Sequence, residues 1–370
     1  MDRRQLLLGA TAGLTLAGCR TTAAAPVGLR IDLLGQALIE HAPTAAEWPG
    51  RAGVVQTLSG ADVIFTNLET VIQGPREGAP TRDLLTLHAS GPEILVTLRD
   101  LGIELVTTAN NHAFDLGSGG ILDTVDALEA AGLKSTGSGA DLARASAPAV
   151  IESPKGLVAT VGFATGKIRP GGAAGAAHPG VNELRRDAAG APLAEDETRI
   201  LDAIRGAAET GAAVIACHHN HDWEEDNALV PEWQEALARR CIDAGADVFL
   251  GHGSPLLQGM SAYKGRPLIY GLGNFIFQTE KPVGAYPPPA WEGIIASLVF
   301  GEGGNVQVSL TPLLLNEIGL GGPDDHATRG FPRLADRDEA EGILSRLAER
   351  SVPLGGRIEI ANGRGLLKVD

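Results

Sequence analysis

The sequence predicts an α/β fold, because apolar β-type runs alternate with segments of helical periodicity along most of the chain. Its 370 residues are enough for one large α/β domain or two average ones. The predicted strands are residues 29–34, 63–66, 105–108, 157–163, 213–217, 248–250, 268–270 and 294–300. The predicted helices are residues 91–101, 119–131, 196–209, 231–244 and 337–350.

The first residues are predicted to be an export signal rather than part of the fold. Arg3 and Arg4 precede an apolar run that is shorter than the roughly 20 residues needed to span a bilayer as a helix. Residues 1–18 are therefore predicted to be a signal peptide. The twin arginine resembles a Tat signal, which is an address for export.

The end of this run resembles a lipoprotein cleavage box. The residues Leu16-Ala17-Gly18-Cys19 place a cysteine where cleavage would make it the acylated first residue. An ordinary signal peptide followed by a chance cysteine is the alternative. On the first interpretation, residues 19–27 are a tether and residues 28–370 form a single domain. The protein is then an exported, membrane-anchored lipoprotein that faces the periplasm or the cell surface.

The composition excludes some partners. A formal net charge of −15 argues against nucleic acid and anionic membrane surfaces as partners, and it does not steer a polyanion toward the protein. Beyond Cys19, the cysteines are Cys217 and Cys241, both in apolar surroundings. Buried free thiols are favoured there over a disulfide, although an oxidising compartment would permit the bridge.

Polar residues follow two of the predicted strands. Asn111 and His112 come directly after residues 105–108, and Glu69 comes after residues 63–66. The carboxyl ends of strands are where open α/β sheets bind ligands, and amide oxygens, imidazoles and carboxylates all bind divalent metals. Each cluster alone is also compatible with a turn, a cap or a surface side chain.

A third cluster holds three of the nine histidines. His218, His219 and His221 follow the strand 213–217, and alternation along an extended chain puts His219 and His221 on one side and His218 on the other. His219 and His221 can share one metal, or one can bind metal while the other donates a proton. Asp222 and Glu224 are candidates for orienting the rings.

A fourth cluster completes the set. His252 follows the strand 248–250 between two glycines, which permit close approach of the backbone. Four strand ends that carry such groups indicate a metal-assisted hydrolase. The predicted metal ligands are Glu69, Asn111, His112, His219, His221 and His252. Three of them are also predicted to be catalytic, namely Glu69, His112 and His221. Glu69 is a candidate base and His112 could protonate the leaving group, while the sequence leaves open whether His219 or His221 is the main ligand.

At these places the chain resembles the CapA capsule-synthesis family, which belongs to the calcineurin-like metallophosphatase superfamily. The matching motifs are Asn67-Leu68-Glu69, Ala109-Asn110-Asn111-His112 with Asp115, residues 218–223, Gly251-His252-Gly253 and Gly273-Asn274-Phe275, and the resemblance covers about residues 29–300. It implies a four-layer α/β/β/α sandwich, one or two divalent ions (Mn, Fe or Zn), and work on poly-γ-glutamate or another surface polymer.

Two positions depart from the family pattern. Gln36 stands where a typical member has a metal-binding Asp, and Ser254 stands where a second His usually follows Gly-His. A neutral amide binds a hard cation less tightly, so a full two-metal centre is in doubt. The residues predicted to face the substrate are Gln36, Trp223, Ser254 and Asn274.

These observations leave two functions open. The favoured one is a metal-dependent hydrolase that acts on a phosphoester or a polymer. The alternative is a non-catalytic, envelope-anchored accessory factor that binds polymer within a synthesis or export complex, with Arg169, Arg185 and Arg186 as a basic patch. A weaker interpretation makes an aromatic platform for sugars from Trp223, Phe277, Tyr286 and Trp291.

Overall fold

The computed structural model describes residues 26–223 and 225–369. The predicted signal peptide and all but the last two residues of the predicted tether lie outside the described residues, as does Glu224. None of the described helices has the length and apolar character needed to cross a membrane.

The predicted alternation of strands and helices is present. The helices are α1 (Arg51–Leu58), α2 (Ile94–Asp100), α3 (Gly117–Ala130), α4 (Leu142–Ser146), α5 (Ala194–Glu209), α6 (Glu232–Asp243) and α7 (Arg337–Ser351). The strands are β1 (Arg30–Leu38), β2 (Val63–Leu68), β3 (Val71–Ile72), β4 (Ala89–Ser90), β5 (Leu105–Thr107), β6 (Lys134–Thr136), β7 (Ser138–Gly139), β8 (Ala149–Ser153), β9 (Gly156–Thr165), β10 (Gly180–Val181), β11 (Ala213–Asn220), β12 (Val248–His252), β13 (Leu257–Tyr263), β14 (Arg266–Leu272), β15 (Asn274–Phe277), β16 (Glu292–Phe300), β17 (Val306–Leu315), β18 (Pro332–Leu334), β19 (Ile358–Ala361) and β20 (Arg364–Leu367).

Most of the strands lie in two mixed sheets. The larger has the order β19-β20-β17-β16-β1-β2-β5-β6, with β15 beside β1 and β18 beside β17. The smaller has the order β13-β14-β12-β11-β9-β8. Pairing is parallel from β1 to β6 in the larger sheet and from β9 to β14 in the smaller one, with antiparallel strands toward the edges.

The two sheets share one apolar core. Buried side chains of β1 and β16, such as Leu33 and Ala296, belong to the same cluster as Ile215 of β11 and Leu250 of β12. Their burial removes a large apolar area from water, and this is the main favourable term in folding. The shared core therefore fixes the two sheets against each other.

Helices cover the opposite face of each sheet. In the larger sheet, Ile64 and Val106 pack in a cluster with residues of α1, α2 and α3, such as Leu98. In the smaller sheet, Val214 packs with residues of α5 and α6, such as Ile204. Strands buried on both faces are typical of parallel α/β sheets, so the continuous apolar runs of the sequence have a structural cause.

The structure confirms the predicted free cysteines, since Cys217 and Cys241 are both unpaired and buried. It also contains elements that the sequence did not indicate, including α1, β13 and β15. The proline-rich residues 281–289 form a loop that runs into the short 3-10 helix Pro288–Trp291.

Strand β1 changes partners along its length. Its first half pairs with β16 through Arg30–Leu33, and its last residues pair with β15 through Gln36–Leu38. Gly35 lies at the change, where a Cβ added to the backbone would fall 2.3 Å from the carbonyl oxygen of Gly273. Only glycine allows this approach of the two backbones.

Replacing Gly35 with Ala is therefore expected to lower the free energy of unfolding by about 1–3 kcal/mol or more, because the new methyl group must push β15 away. Urea unfolding followed by circular dichroism measures the change. The control is Gly206→Ala in α5, where a Cβ meets no atom within 4 Å and helix propensity predicts a gain of up to about 1 kcal/mol. Equal stability of Gly35→Ala and the unmodified protein would show that the close approach is not a constraint.

Candidate metal centre

The predicted site residues sit at the carboxyl ends of parallel strands in both sheets. Glu69 directly follows β2, and Asn111 and His112 follow β5 in the larger sheet. In the smaller sheet His219 lies in β11 and is paired in register with His252 of β12. Because the shared core holds the two sheets face to face, these strand ends meet at one edge of the molecule.

Alternation along β11 separates its histidines. Ile215 and Cys217 face the core between the sheets, whereas Val214 and Ala216 face the helices. His219 continues the first series and His218 the second. His218 accordingly stacks on Phe163, with 4.8 Å between ring centroids, while His219 lies beside His221, with 5.0 Å between theirs.

Glu69 is at the middle of the cluster. Its Oε1 lies 3.4 Å from Nε2 of His219 and 3.9 Å from Nε2 of both His112 and His221. Glu69, His219 and His221 each offer a ligand atom, and these atoms lie within 4.8 Å of one another. Among the described residues, these three are the histidine, cysteine or acidic side chains that lie close enough together to share one metal ion.

The environment of Glu69 is unusual for a carboxylate. The residue is 2% exposed, and its Oε2 has no hydrogen-bond partner. Burial raises the pKa of Glu69 well above its ordinary value, and the nearby Arg82 opposes that rise. Both ring nitrogens of His221 also lack partners. Such unpaired buried groups call for an explanation, and a cation is one ligand that would satisfy them.

Two asparagines orient His219. The Asn67 amide nitrogen lies 3.0 Å from Nδ1, and the Asn111 Oδ1 lies 2.8 Å from Nε2. Asn110 fixes Asn67 by donating to its Oδ1 at 3.1 Å. In this arrangement Nδ1 accepts and Nε2 carries the proton, so a metal at Nε2 would displace a proton.

His112 is held by a carboxylate. Its Nδ1 lies 2.8 Å from Oδ2 of Asp115, so Nε2 is the nitrogen that faces Glu69. Histidine ligands of metals commonly donate their second nitrogen to a carboxylate in this way. Asp115 also pairs with Arg82, and burial raises the pKa of Asp115 to about 6 while Arg82 opposes it.

Three further residues of the site were not predicted. Arg82 is bound to Asp115 and donates to the carbonyl oxygen of Asn111. His88 contacts the edge of the His112 ring, with 4.5 Å between centroids, and its Nδ1 lies 2.5 Å from Oε1 of Glu40. Arg82 and His88 come from segments without a strand-end pattern, so no signal in the sequence pointed to them. Glu40 follows the end of β1 at Leu38, but the predicted strand stopped at residue 34.

His252 and Gln36 lie near the cluster but bond within the fold. His252 Nε2 lies 3.0 Å from the carbonyl oxygen of Leu34, and its Nδ1 lies 3.4 Å from Sγ of Cys217. The Gln36 Oε1 accepts from the backbone nitrogen of Gly253 at 2.9 Å. These contacts tie the turn after β12 to β1 across the gap between the sheets.

The other residues predicted to face substrate lie in different environments. Trp223 packs on His221 with 4.5 Å between ring centroids. The Ser254 hydroxyl donates to the carbonyl oxygen of Asn227 at 2.8 Å, and the Asn274 amide donates to that of Ala290 at 2.8 Å. The structure thus brings Trp223 to the cluster, while Ser254 and Asn274 bond to neighbouring loops.

The three arginines proposed as a basic patch each have different surroundings. Arg185 is paired with Glu195 and Asp196, and Arg186 with Asp222. Asp222 therefore serves Arg186 rather than a histidine ring. The Nε of Arg169 is buried without a partner.

The platform of aromatic residues also divides. Phe277, Tyr286 and Trp291 pack together in one cluster. Trp223 lies instead against His221. The ammonium group of Lys167 lies 5.1 Å from the centroid of the Trp223 ring.

The buried histidines make the stability sensitive to acid. Burial lowers the pKa of His218 to about 3, and its ring nitrogens bond to Thr165 at 3.0 Å and Gln234 at 3.3 Å. Between that pH and the ordinary pKa of about 6.5, the unfolded chain binds a proton that the folded protein does not. The free energy of unfolding must fall as the pH drops through this window.

Replacing His218 with Gln is therefore expected to flatten this dependence by about 1 kcal/mol per pH unit below pH 6. Urea unfolding of metal-free protein at several pH values between 7 and 4 measures the slope. His41→Gln, at an exposed position, serves as the control and should keep the original slope. A slope in His218→Gln that matches the control would contradict a neutral buried His218.

The fold and the cluster together define an α/β protein with a histidine-rich candidate metal site. Residues 32–279 match the family described as bacterial capsule synthesis protein PGA_cap. An uncharacterized protein of Sinorhizobium fredii, y4uA, is 31% identical over 435 residues, covering 92% of this chain and 93% of that protein. The chain belongs to the PGA_cap family, which confirms the resemblance found in the sequence.

Two named relatives connect the family with surface polymers. A probable polyglutamine synthesis accessory protein of Mycobacterium tuberculosis is 32% identical over 243 residues, covering 64% of this chain and 62% of that protein. The capsule biosynthesis protein CapA of Bacillus anthracis is 33% identical over 193 residues, covering 52% and 44%. The family description and the name of the Bacillus anthracis relative thus concern capsule synthesis, and the name of the Mycobacterium tuberculosis relative concerns polyglutamine synthesis.

Proposed function

We propose that this protein is a metal-dependent hydrolase of the cell envelope that acts on a phosphoester or on a surface polymer such as poly-γ-glutamate. The observation that carries the proposal is the cluster of Glu69, His219 and His221, whose ligand atoms lie within 4.8 Å of one another. Its support is chemical as well as geometric, because Glu69 and His221 both present buried atoms without a hydrogen-bond partner.

These donors fit a divalent transition metal. One carboxylate and two imidazoles suit Mn, Fe or Zn, and Asn111 and His112 lie close enough to complete the set. A bound ion would supply Lewis acidity and activate water. The number of ions, one or two, depends on whether His252 gives up its bonds to Leu34 and Cys217.

The other groups of the site have separate roles in this proposal. Glu69 would hold the metal and could accept a proton from water. His112 keeps its Nδ1 bonded to Asp115, so its Nε2 carries no proton. That Nε2 would either complete the ligands of the metal or, if left unbound, accept a proton from the attacking water and pass it to the leaving group. His221 lies under Trp223, which shields one side of the cluster from water.

The layered packing supports a metallophosphatase type of fold. Helices α1, α2 and α3 cover the larger sheet, the two sheets share a core, and α5 and α6 cover the smaller sheet. We propose that this order is the four-layer α/β/β/α sandwich, formed by a single domain of residues 28–370. In that arrangement ligands bind at the strand ends where the two sheets meet.

One exposed cation near the cluster, Lys167, favours an anionic substrate despite the net charge of −15. Burial has the largest effect in lowering the pKa of His221, and Lys167 and Arg82 lower it further. Lys167 has a φ of 54°, which is a strained backbone conformation for a residue other than glycine. Strained conformations of this kind cluster at functional sites. A phosphoester or a carboxylate-bearing polymer would meet positive charge at this edge.

A non-catalytic role is the second candidate. The observation that favours it is the internal bonding of His252 and Gln36, which leaves fewer side chains free to hold metal. The Mycobacterium tuberculosis relative is named an accessory protein. In this case the same cleft binds polymer for a synthesis or export complex without cleaving it.

Elemental analysis of purified protein, grown with Mn, Fe and Zn supplied, is expected to find at least one metal ion per chain. His221→Ala and Glu69→Gln should each lower that content severalfold, because each removes one of three clustered ligands. His41→Ala, which alters an exposed histidine, should leave it unchanged. Metal retained in His221→Ala would exclude the cluster as the binding site.

The same preparations separate the two functions. Metal-stimulated cleavage of a generic phosphodiester, lost in Glu69→Gln and after chelation, supports the hydrolase. Saturable binding of γ-linked glutamate oligomers without any cleavage, by a metal-loaded protein, supports the accessory role instead.

We propose further that Cys19 anchors the protein in the envelope after export directed by Arg3 and Arg4. The physical reason is that acyl chains supply stable membrane attachment. Labelling of cells with a fatty acid should mark the unmodified protein and not Cys19→Ser. A Cys19→Ser protein that keeps both label and membrane association would exclude this anchor.

A further inference from the structure

A buried arginine lies away from the metal cluster, beneath the proline-rich residues 281–289. Arg329 is 1% exposed. Its Nη1 donates to the carbonyl oxygens of Thr279 at 2.9 Å and Lys281 at 2.6 Å. Its Nε and Nη2 are buried and have no hydrogen-bond partner.

Among the described residues, no carboxylate pairs with Arg329. Glu317 acts on the arginine electrostatically, but its Oε1 accepts from the backbone nitrogen of Gly284 at 2.7 Å. Burial lowers the pKa of Arg329, as expected for a cation without a close counterion. Burying an unpaired charge is costly, so such a group usually has a partner.

A second unpaired donor lies against the first. The guanidinium group of Arg329 sits 4.9 Å from the ring centroid of Trp291. Trp291 is 4% exposed, and its Nε1 also lacks a hydrogen-bond partner. Stacking on the indole holds the guanidinium plane in a fixed orientation, so the free donors of the pair are pre-arranged.

The proline-rich segment meets this pair at two places, since Lys281 accepts from Arg329 and Tyr286 packs in one cluster with Trp291, but its middle is open to solvent. Residues 282–285 are exposed, and the backbone bonds within the segment include Ala285 to Pro282 at 3.1 Å. Tyr286 anchors it by packing on Phe277, with 4.9 Å between centroids. Few buried contacts and exposed backbone are features of segments that open locally.

We propose that Arg329 and Trp291 form a carboxylate-binding site beneath the proline-rich segment, distinct from the metal cluster. Nη1 is already used by two carbonyl groups, so Nε and Nη2 remain as the adjacent pair of donors that binds the two oxygens of one carboxylate. The indole N–H of Trp291, also buried without a partner, is a further donor in this pair of stacked side chains. The ligand class is a carboxylate group, carried by a small acid or by an acidic polymer.

The test is the binding of glutarate to the full chain by isothermal titration calorimetry, with the neutral diamide glutaramide as the matched ligand. Saturable binding of glutarate, and not of glutaramide, is expected. Arg329→Met should weaken it about tenfold or more, since a charge-assisted bidentate pair is lost. Arg333→Met should leave it unchanged, because Arg333 is a half-exposed neighbour already paired with Glu339.

Trp291→Phe keeps the ring and removes only the N–H donor, so it tests the site even if Arg329→Met does not fold; about threefold weaker binding is expected. Repeating the titration with chelator-treated protein separates this site from the metal cluster, and glutarate should bind there as it does to the untreated protein. A γ-linked glutamate oligomer that binds more tightly than glutarate, and loses that advantage in Arg329→Met, identifies a polymer as the source of the carboxylate. Equal binding by Arg329→Met and the unmodified protein, equal affinity for glutaramide, or no saturable binding of glutarate would overturn the proposal.

Discussion

The buried carboxylate of Glu69 is the constraint on which the rest of the candidate site depends. A carboxylate taken out of water must either stay protonated or meet positive charge. The surrounding imidazoles provide little, because burial lowers the pKa of His112, His219 and His221 and keeps them neutral. Arg82 is a cation close enough to lower the pKa of Glu69, but it is already paired with Asp115. The cluster is therefore short of positive charge.

The sheets supply the precision that such a cluster needs. Glu69 and His219 belong to different sheets, and their relative position is set by the packing of the core between them rather than by a direct bond. The asparagines Asn67, Asn110 and Asn111 then complete the alignment of His219. Rigid strands place the backbone, and short amides fix the ring, so no mobile loop has to find the correct geometry.

The sequence predicted this much because strands have a strict period. Alternation placed His219 and His221 together and His218 away from them, and apolar runs located the strands that carry them. Arg82 and His88 escaped prediction because they come from segments that lack any such period. Strand β15 was missed because it follows β14 after the single residue Gly273, so the two runs look like one. Ser254 shows a further limit, since a polar residue in a predicted site turn bonds instead to the loop at Asn227.

The position of β15 beside β1 also has a consequence for folding. Glu40, just after β1, donates its backbone nitrogen to Gln278, a residue 238 positions later in the chain. Contacts between such distant residues form slowly, because the entropy cost of closing a long loop comes before the stabilisation that the contact provides. The wall of the cleft nearest His88 is thus completed only when the chain has been made as far as this strand. A shortened chain that ended before β15 would keep Glu69, His219 and His221 and yet lack the strand that pairs with the last residues of β1.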